Sequence, residues 1–317
     1  METLRRVRAE RKLLGQGGRV GRARINWIAY LLVAPGFLIW MLFNIYPMLR
    51  GLVMAFQDYR FLYPETINPL HSFNGIDNFV EMFHDRMFGT SLIVSLKFTA
   101  MYLPLSIILP VVVASMVAQV RSERFASFLR VVIYLPAILP IAAAMLVWNK
   151  LFDPHFGYLN VLIGSIIGRK VNILWLGPDL ALPSLVIASL WKGFGYNTLL
   201  FLIGIYGINQ ELYDAAAVDG CTGIKSWWYI TIPLLKPIFT LILVLNAGIL
   251  GVTEQAMILT NGGPGDRTLT TGLYLWRVAF LYGDMRMGYA AAVGLSLGIV
   301  SMVLSAIIFK LMRTERA

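Results

Sequence analysis

Long apolar segments alternate with shorter polar connections along most of the chain. About 20 apolar residues are enough to cross a bilayer as an α-helix, and six segments reach that length. The runs are continuous and lack the alternation of barrel strands, and a helix satisfies its own backbone hydrogen bonds in lipid. The sequence therefore predicts an all-α membrane protein with six transmembrane helices, at Trp27–Phe56, Gly89–Ala118, Phe128–Trp148, Ala181–Tyr206, Leu234–Leu259 and Met287–Leu311. The first is long enough to tilt, and Pro35 and Pro47 are expected to kink it.

The polar connection at residues 208–237 has a pattern of its own. Glu211–Val218 is rich in helix formers, and the small side chains of Ala215–Ala217 allow another surface to approach closely. Gly220 stands where a helix needs a left-handed residue to end, and Pro233 ends a second short helix or begins the next span. The pattern predicts a rigid knob outside the membrane that binds a soluble partner.

The spacing in this connection resembles the EAA loop of inner-membrane permeases in ATP-binding-cassette (ABC) importers. The family pattern is Glu-Ala-Ala, three residues, Gly, nine residues, Ile, one residue and Leu-Pro. Asp214-Ala215-Ala216, Gly220, Ile230 and Ile232-Pro233 keep that spacing, with Asp in place of Glu and Ile in place of Leu. This version is similar to that of the carbohydrate branch, the maltose-type permeases. The resemblance implies the type I ABC importer permease fold with six spans.

Three further segments extend the resemblance over residues 27–312. Gly75–Phe79 is similar to a Gly-hydrophobic-x-Asn-Phe element of the maltose-type family, and Leu259–Gly265 is similar to its Gly-Gly-Pro turn. Met287–Ala292 resembles the start of its last span. The first of these segments lies within Asn74–Phe83, which we predict to be a short interfacial helix capped by Asp77.

The composition agrees with a membrane protein. The 317 residues are 58% hydrophobic and 14% charged, whereas soluble proteins usually contain about 25% charged residues. The net charge of +10 suits nucleic-acid binding, but basic residues that flank spans on the cytoplasmic side explain it better. The single cysteine, Cys221, excludes an intramolecular disulfide and is expected to be a reduced thiol. The three histidines, His71, His84 and His155, lack metal-ligand spacing.

Residues 1–26 are predicted to form a disordered, basic cytoplasmic tail. They contain eight Lys or Arg residues with four glycines among them. The apolar run that follows is longer than a signal-peptide core and lacks a small-residue cleavage pattern, so we expect no cleavable signal. We expect the tail to contact anionic membrane lipid and not nucleic acid. Residues 27–317 are predicted to form one transmembrane permease domain.

The distribution of Lys and Arg between the connections predicts the orientation of the chain. One side of the predicted membrane holds sixteen of them, and the other side holds eight in longer loops. Because basic residues accumulate on the cytoplasmic side, this distribution favours two cytoplasmic termini and a cytoplasmic loop at residues 208–237 over the inverted topology. The richer side consists of the tail and Arg121, Arg124, Arg130, Lys225, Lys236, Lys310, Arg313 and Arg316.

Polar residues within the predicted spans mark a candidate substrate path, because such residues are costly in lipid and usually face an interior. In maltose-type permeases the sugar site lies near mid-membrane, mostly between the spans before and after the EAA loop. The resemblance places Ser189, Gly193 and Tyr196 at sugar-contacting positions, where Tyr196 would supply an aromatic face. The candidate path residues are Ser189, Lys192, Gly193, Tyr196, Asn197 and Glu254.

The match to the maltose-type sugar site ends after the loop. The corresponding positions are Leu245, Gly248, Ile249 and Val252, which argues against maltose itself. Each polar path residue can instead make a hydrogen bond between helices. Lys192 can face an acidic sugar, pair with Glu254 or extend toward the outer surface.

The sequence contains no motif for catalysis or cofactor binding. Gly220–Ser226 superficially resembles a phosphate-binding loop, but it lacks the glycine directly before Lys225 that the backbone cradle needs. The spacing shows neither a Ser-His-Asp set nor a Cys/His cluster. We therefore expect no enzymatic activity, cofactor or metal in this chain, and we expect ATP and Mg²⁺ on partner subunits.

The resemblance implies a permease subunit of an ATP-driven sugar importer in the bacterial inner membrane. The implied partners are a second, homologous permease subunit in a heterodimer, two ATP-binding subunits and an extracytoplasmic sugar-binding protein. The implied mechanism is alternating access. The ATPase-coupling residues that it implies are Glu211, Asp214, Ala215, Ala216, Asp219, Gly220 and Pro233.

Two other functions fit the sequence less well. A secondary transporter or channel predicts inverted repeats or broken helices with intramembrane acids, of which Glu254 is the candidate. A membrane enzyme would need a catalytic constellation.

Overall fold

The computed structural model describes residues 27–68, 72–246 and 252–312. Within them the secondary structure is helical, apart from one antiparallel bridge between Gln57 and Phe73. The predicted tail, residues 1–26, lies outside the described residues, so its separation from a membrane domain stays a prediction. In chain order the elements are α1 (Trp27–Trp40), a π-helical turn (Met41–Ile45), α2 (Tyr46–Met54), a 3-10 helix (Pro64–Ile67), α3 (Asp77–His84), α4 (Arg86–Ala118), α5 (Glu123–Ile138), α6 (Ile141–Leu151), α7 (Tyr158–Ile167), α8 (Ala181–Tyr206), α9 (Gln210–Val218), α10 (Ile224–Ser226), a second π-helical turn (Trp227–Thr231), α11 (Ile232–Leu234), α12 (Lys236–Leu245), α13 (Glu254–Leu259), α14 (Thr271–Phe280) and α15 (Met287–Met312).

The described residues divide into two units, one up to Gly51 and the other from Leu52 onward. In the first unit, α1 continues through Pro35. Pro47 has no N–H to donate to the carbonyl of Phe43, and the first π-helical turn directly precedes this region. At the position where a kink was predicted from Pro47, the structure therefore has a π-helical turn.

Four helical segments are each long and apolar enough to cross a membrane, namely Tyr30–Met54, α4, α8 and α15. Two bent pairs add to them: α5 with α6 at 98°, and Ile224–Leu234 with α12 at 58°. The prediction of six spans agrees with the structure if each bent pair counts as one span.

The third and fifth predicted spans are not continuous helices. Leu139 is extended, as residues before proline usually are, and Pro140 has no N–H, so α5 ends at Ile138 and α6 begins at Ile141. The fifth predicted span contains α12 and the separate short helix α13, and residues 247–251 between them are not described. The prediction of a continuous helix is therefore wrong for the third span, and it is also wrong for the fifth, where α12 ends at Leu245.

Helices α4 and α8 run parallel at the centre of the second unit. Asn197 donates to Ser106 O (2.9 Å), and a Cβ at Gly193 would lie 2.9 Å from the Tyr102 hydroxyl. A Cβ at Gly195 would lie 2.2 Å from Ile133 O, so glycine permits the close approach of α8 to α5. The surrounding side chains form two hydrophobic clusters, which include Phe98, Tyr102, Leu185, Ala188 and Tyr289 in one and Val111, Phe201, Leu202, Leu235 and Ile242 in the other.

The two ends of the second unit carry different connections. Trp227 Nε1 donates to Ser115 Oγ (2.7 Å), so the C-terminal end of α4 lies beside residues 208–237, and we call this the loop end. At the N-terminal end of α4, Asp85 accepts hydrogen bonds from Tyr274 and Tyr289. We call this the distal end.

Two distal segments were predicted from the sequence. The interfacial helix is present as α3, but Asp77 is its first helical residue and not its cap: the preceding residue is Ile76, whose side chain makes no capping bond. Asp77 in the first turn still favours the helix through its dipole. In the Gly-Gly-Pro turn, Gly262 has a φ of +74° and the Gly263–Pro264 peptide is cis.

Candidate functional site

The first helix of the polar loop, α9, begins and ends on specific capping contacts. Asn209 Oδ1 accepts from Glu211 N (3.1 Å) at its start. At its end Gly220 has a φ of +72°, Cys221 N donates to Ala216 O (2.8 Å) and Gly220 N donates to Ala217 O (3.0 Å). This pair of bonds is a Schellman motif, and it confirms the left-handed glycine predicted at Gly220.

The second half of the loop is joined to α9 and to α4. Tyr213 Oη and Thr231 Oγ1 lie 2.8 Å apart, which connects α9 to the second π-helical turn. Trp227 Nε1 donates to Ser115 Oγ, which itself donates to Val111 O (2.7 Å). The loop is therefore attached to the central helix α4 by a side-chain hydrogen bond that spans 112 residues of sequence.

The predicted coupling residues lie on the surface of this loop. Glu211, Asp214, Ala215, Asp219, Gly220 and Pro233 are exposed, and Ala216 is partly buried. Among the described residues, Asp214 accepts only a long hydrogen bond from Gln210 (3.4 Å), so its carboxylate keeps bonding capacity for another group. Apolar side chains are exposed beside them, with Val218 88% and Ile224 75% exposed. The loop thus combines an acidic group, small side chains and apolar surface, which is suited to binding another protein.

Three of the predicted path residues lie on one face of α8. Ser189, Gly193 and Tyr196 follow the spacing of a single helix face. Ser189 is 5% exposed, and its hydroxyl has no hydrogen-bond partner among the described residues. Tyr196 is 47% exposed. A buried hydroxyl without a partner and a half-exposed aromatic ring are groups that a polar ligand with C–H faces can contact.

Lys192 and Asn197 make contacts between helices. Lys192 Nζ donates to Ala137 O (2.8 Å), one of the last carbonyls of α5, which ends before Pro140. The ammonium group is bonded to this carbonyl, and it makes no ion pair with Glu254 within the described residues. The other two arrangements, toward an acidic sugar or toward the outer surface, stay predictions. Asn197 makes the interhelical bond to Ser106 that was the alternative to substrate contact. Glu254 is exposed at the start of α13.

The structure describes two of the four positions named after the loop. Leu245 is 54% exposed and Val252 is buried, whereas Gly248 and Ile249 lie outside the described residues. Helix α4 contributes Tyr102 beside Gly193 and Thr99 on the same helix face, and the Thr99 hydroxyl also has no partner within the described residues. Sequence reasoning missed Thr99, because threonine in a span is common and only its neighbours reveal the unpaired hydroxyl.

A charged network at the distal end was also missed from the sequence. Asp85 accepts from the Tyr274 hydroxyl, from the Tyr289 hydroxyl (2.6 Å) and from Met87 N (2.8 Å). Arg286 forms a bidentate pair with Glu81 (2.5 and 2.6 Å). Burial opposes ionisation of Asp85, but these hydrogen bonds outweigh it and lower the pKa of the carboxyl group. The network joins α3, α4, α14 and the start of α15 around a cavity of about 280 Å³.

No group of three or more His, Cys, Asp or Glu residues in the described part of the chain is arranged to hold a metal ion. Cys221 is partly buried in the loop, and it has no disulfide partner.

The chain is similar to known transport proteins over most of its length. The family model described as binding-protein-dependent transport system inner membrane component matches residues 106–314. The diacetylchitobiose uptake system permease protein NgcF of Streptomyces coelicolor is 31% identical over 93% of this chain and 86% of that protein. The lactose transport system permease protein LacF of Rhizobium radiobacter is 27% identical over 90% of this chain and 94% of that protein.

A solved structure shows the same fold. A chain in the crystal structure of a bacterial alginate ABC transporter in complex with an alginate pentasaccharide-bound periplasmic protein matches with a TM-score of 0.76 at 25% identity. The match covers 90% of this chain and 94% of that one. Together with the helical bundle and the EAA-type loop, these findings show that the chain belongs to the family of binding-protein-dependent transport system inner membrane components, the multi-pass permease subunits of ABC importers in the bacterial inner membrane.

Proposed function

We propose that this permease subunit carries an oligosaccharide or sugar across the inner membrane by alternating access, driven by ATP hydrolysis on partner subunits. The substrate class is supported by the relatives, whose names specify diacetylchitobiose and lactose, and by the alginate transporter structure. The proposed partners are a second, homologous permease subunit, two ATP-binding subunits that hold ATP and Mg²⁺, and a sugar-binding protein at the distal end.

The single observation that carries the mechanism is the attachment of the exposed loop to α4. The surface of α9 is free to bind an ATPase subunit, with Ala215 and Ala216 allowing close approach and Asp214 available to bond a basic or backbone group. On the other face of the loop, Trp227 Nε1 donates a hydrogen bond to Ser115 Oγ on α4. A movement of the loop on ATPase closure would therefore pull on α4 directly.

The proposed substrate path follows from the position of α4. Helix α4 packs on α8, and the face of α8 that carries Ser189, Gly193 and Tyr196 lies beside Tyr102 at Gly193. A displacement of α4 relative to α8 would open or close this face. We therefore propose that Ser189 and Tyr196 contact the sugar, while Lys192 and Asn197 hold α8 to its neighbours. Glu254, on the exposed start of α13, stays a candidate path residue.

The test is ATP-dependent uptake by proteoliposomes that contain the whole transporter complex and its binding protein. Gly220→Val forces a β-branched residue into a left-handed conformation at a cost of roughly 1–2 kcal/mol or more, which distorts the turn after α9. We expect assembly of the two permease subunits to persist while transport and ATPase stimulation by the binding protein are lost.

Gly220→Asn is the matched control, because asparagine tolerates the left-handed conformation and keeps the turn. Its transport should remain within a few-fold of wild type. Normal transport by Gly220→Val would contradict the coupling role of the loop, and uptake without ATP would support a secondary transporter instead.

A further inference from the structure

The distal connection between α6 and α8 is a compact element that the transport mechanism leaves without a role. We call residues 152–176 the α7 loop. Asn160 is 3% exposed at its centre, and its side chain accepts from Ile173 N (3.3 Å) and Trp175 Nε1 (3.0 Å). It also donates to Pro154 O and Ile173 O, both at 3.1 Å. This one amide joins both ends of the α7 loop to α7, which makes the loop a preformed element.

Glycines permit close backbone approaches before and after α7. A Cβ at Gly157 would lie 2.2 Å from Asp153 O, and one at Gly164 would lie 3.0 Å from Arg169 O. Gly168 ends α7 with a φ of +75° and turns the chain back across Gly164. The backbone at Arg169 is therefore held against α7.

Helix α7 has an inside-out distribution of side chains. Its inward face carries Asn160 and Gly164, whereas its outward face carries large apolar side chains. Tyr158 is 73% exposed and Ile166 is 77% exposed. Val161 and Leu162, which lie between them along the helix, are also exposed. A ten-residue helix is too short to span a bilayer. A helix that buries its asparagine and exposes its apolar residues is suited to the boundary of a membrane, where it lies in the plane of the bilayer.

A basic cavity adjoins the C-terminal end of this helix. It has a volume of about 450 Å³, and its lining includes Arg169, Lys170, His155, Ser165 and Asn172 but no carboxylate. Both basic side chains are exposed, and no ion pair among the described residues includes either of them. The nearby Asp153 carboxylate accepts from the backbone N–H groups of His155 and Phe156 (2.9 and 2.8 Å).

We propose that the α7 loop binds an anionic phospholipid, with the apolar face of α7 at the acyl–headgroup boundary and the lipid phosphate between Arg169 and Lys170. A phosphate needs charged and hydroxyl or amide donors, which the cavity supplies. A sugar would instead need an aromatic face, and His155 is the only ring in the lining of this cavity. The lipid would also brace the start of α8, because Ser184 Oγ donates to Trp175 O (2.7 Å) at the base of the α7 loop.

The test uses the full transporter complex, purified in detergent and stripped of lipid. The complex is titrated with phosphatidylglycerol, and native mass spectrometry counts the bound lipid molecules. Arg169→Gln/Lys170→Gln should weaken phosphatidylglycerol binding about thirtyfold, because each basic residue near an anionic headgroup contributes on the order of a fivefold effect. Phosphatidylcholine binding should fall much less, because the choline cation offsets the charge of its phosphate. Arg121→Gln/Arg124→Gln is the matched control, since it removes the same charge from two exposed residues at the loop end, one just before α5 and one in its first turn. Its affinity for phosphatidylglycerol at the tight site should stay within threefold of wild type.

Two further measurements distinguish a phospholipid headgroup from a free phosphate as the bound anion. Glycerol 1-phosphate carries a phosphate group with at least the same negative charge but no acyl chains, and it should not compete at tenfold the lipid concentration. Ile166→Asn should weaken both lipids, because it removes apolar contact and leaves the basic pair intact. Unchanged phosphatidylglycerol binding by the Arg169/Lys170 variant, an equal loss in the control, or full competition by glycerol 1-phosphate or by an acidic oligosaccharide would each overturn the proposal. Because lipid binding is measured directly, the result does not depend on the transport role of the polar loop.

Discussion

The loop end and the distal end of the second unit are stabilised by contacts of different range. At the loop end, the turn after α9 is closed by backbone bonds between neighbours, such as Cys221 N to Ala216 O. At the distal end, Glu81 pairs with Arg286 and Arg60 pairs with Asp284, at sequence separations of 205 and 224 residues. The turn after α9 is therefore a local motif on the surface, joined to α4 by the bond from Trp227 to Ser115, and the distal end is a joint between remote parts of the chain. We expect loop substitutions to change coupling and distal substitutions to change stability.

Asp85→Ala tests the distal half of this comparison and should have the largest effect on stability. It leaves the Tyr274 and Tyr289 hydroxyls without their acceptor and removes the cap of α4, at a total cost of roughly 3–5 kcal/mol. The measurement is the thermal unfolding midpoint of the purified complex. Asp85→Asn keeps an acceptor oxygen and should lose less than half as much. Equal midpoints for wild type and Asp85→Ala would show that the distal network does not hold the helices together.

Asp214→Lys tests the loop half and should change coupling without changing the midpoint. Reversing the charge of an exposed residue costs the fold little, but a charged contact with the ATPase would lose roughly 2–5 kcal/mol. Co-purification of the ATPase subunit and uptake should both fall. Glu65→Lys, an equal charge reversal in the 3-10 helix, is the control and should keep the ATPase bound. Retention of the ATPase by Asp214→Lys would remove this carboxylate from the coupling surface.

Ser115→Ala and Trp227→Phe probe the bond between the loop and α4. Each variant leaves one partner of a partly buried hydrogen bond unsatisfied, at a cost of about 1–2 kcal/mol. In a double-mutant cycle, the two changes should show a coupling energy of about 1 kcal/mol in unfolding and a shared loss of binding-protein-stimulated ATPase activity. Additive effects on both readouts would mean that this bond does not transmit loop movement.

The smallest effect is expected from titrating Glu81. Hydrogen bonds from Arg286 lower the pKa of Glu81, and its burial acts in the opposite direction. The pair therefore stabilises the fold above the ordinary pKa of about 4.5, and this contribution is lost as the pH falls through the lowered value. Since Glu81 is 48% exposed, the contribution should be below about 1 kcal/mol. Unfolding midpoints of wild type and Glu81→Gln should differ at pH 7 and converge toward pH 3, and a constant difference would contradict this assignment.

Features with a local cause were predictable from sequence. Hydropathy located the membrane helices, because about 20 apolar residues are needed wherever the chain crosses. Gly220 was predicted as a left-handed helix terminator, because the conformation depends on the glycine itself. The same reasoning failed at Asp77, where a residue near a helix start was taken for the cap although the helix begins on it. It also failed at Pro140, whose effect on the third span was not anticipated.

By itself, the sequence determined the membrane-spanning class, the polar loop and the family, since each depends on composition or on residues within about 25 positions of one another. Tertiary structure alone decided the partners of individual polar groups. Lys192 bonds to Ala137 O only because α5 ends beside α8, and Asp85 meets two tyrosines only because α14 and α15 return to the start of α4. The physical reason is that a hydrogen bond depends on distances of about 3 Å. Sequence spacing cannot specify such distances between helices that lie 50 to 200 residues apart.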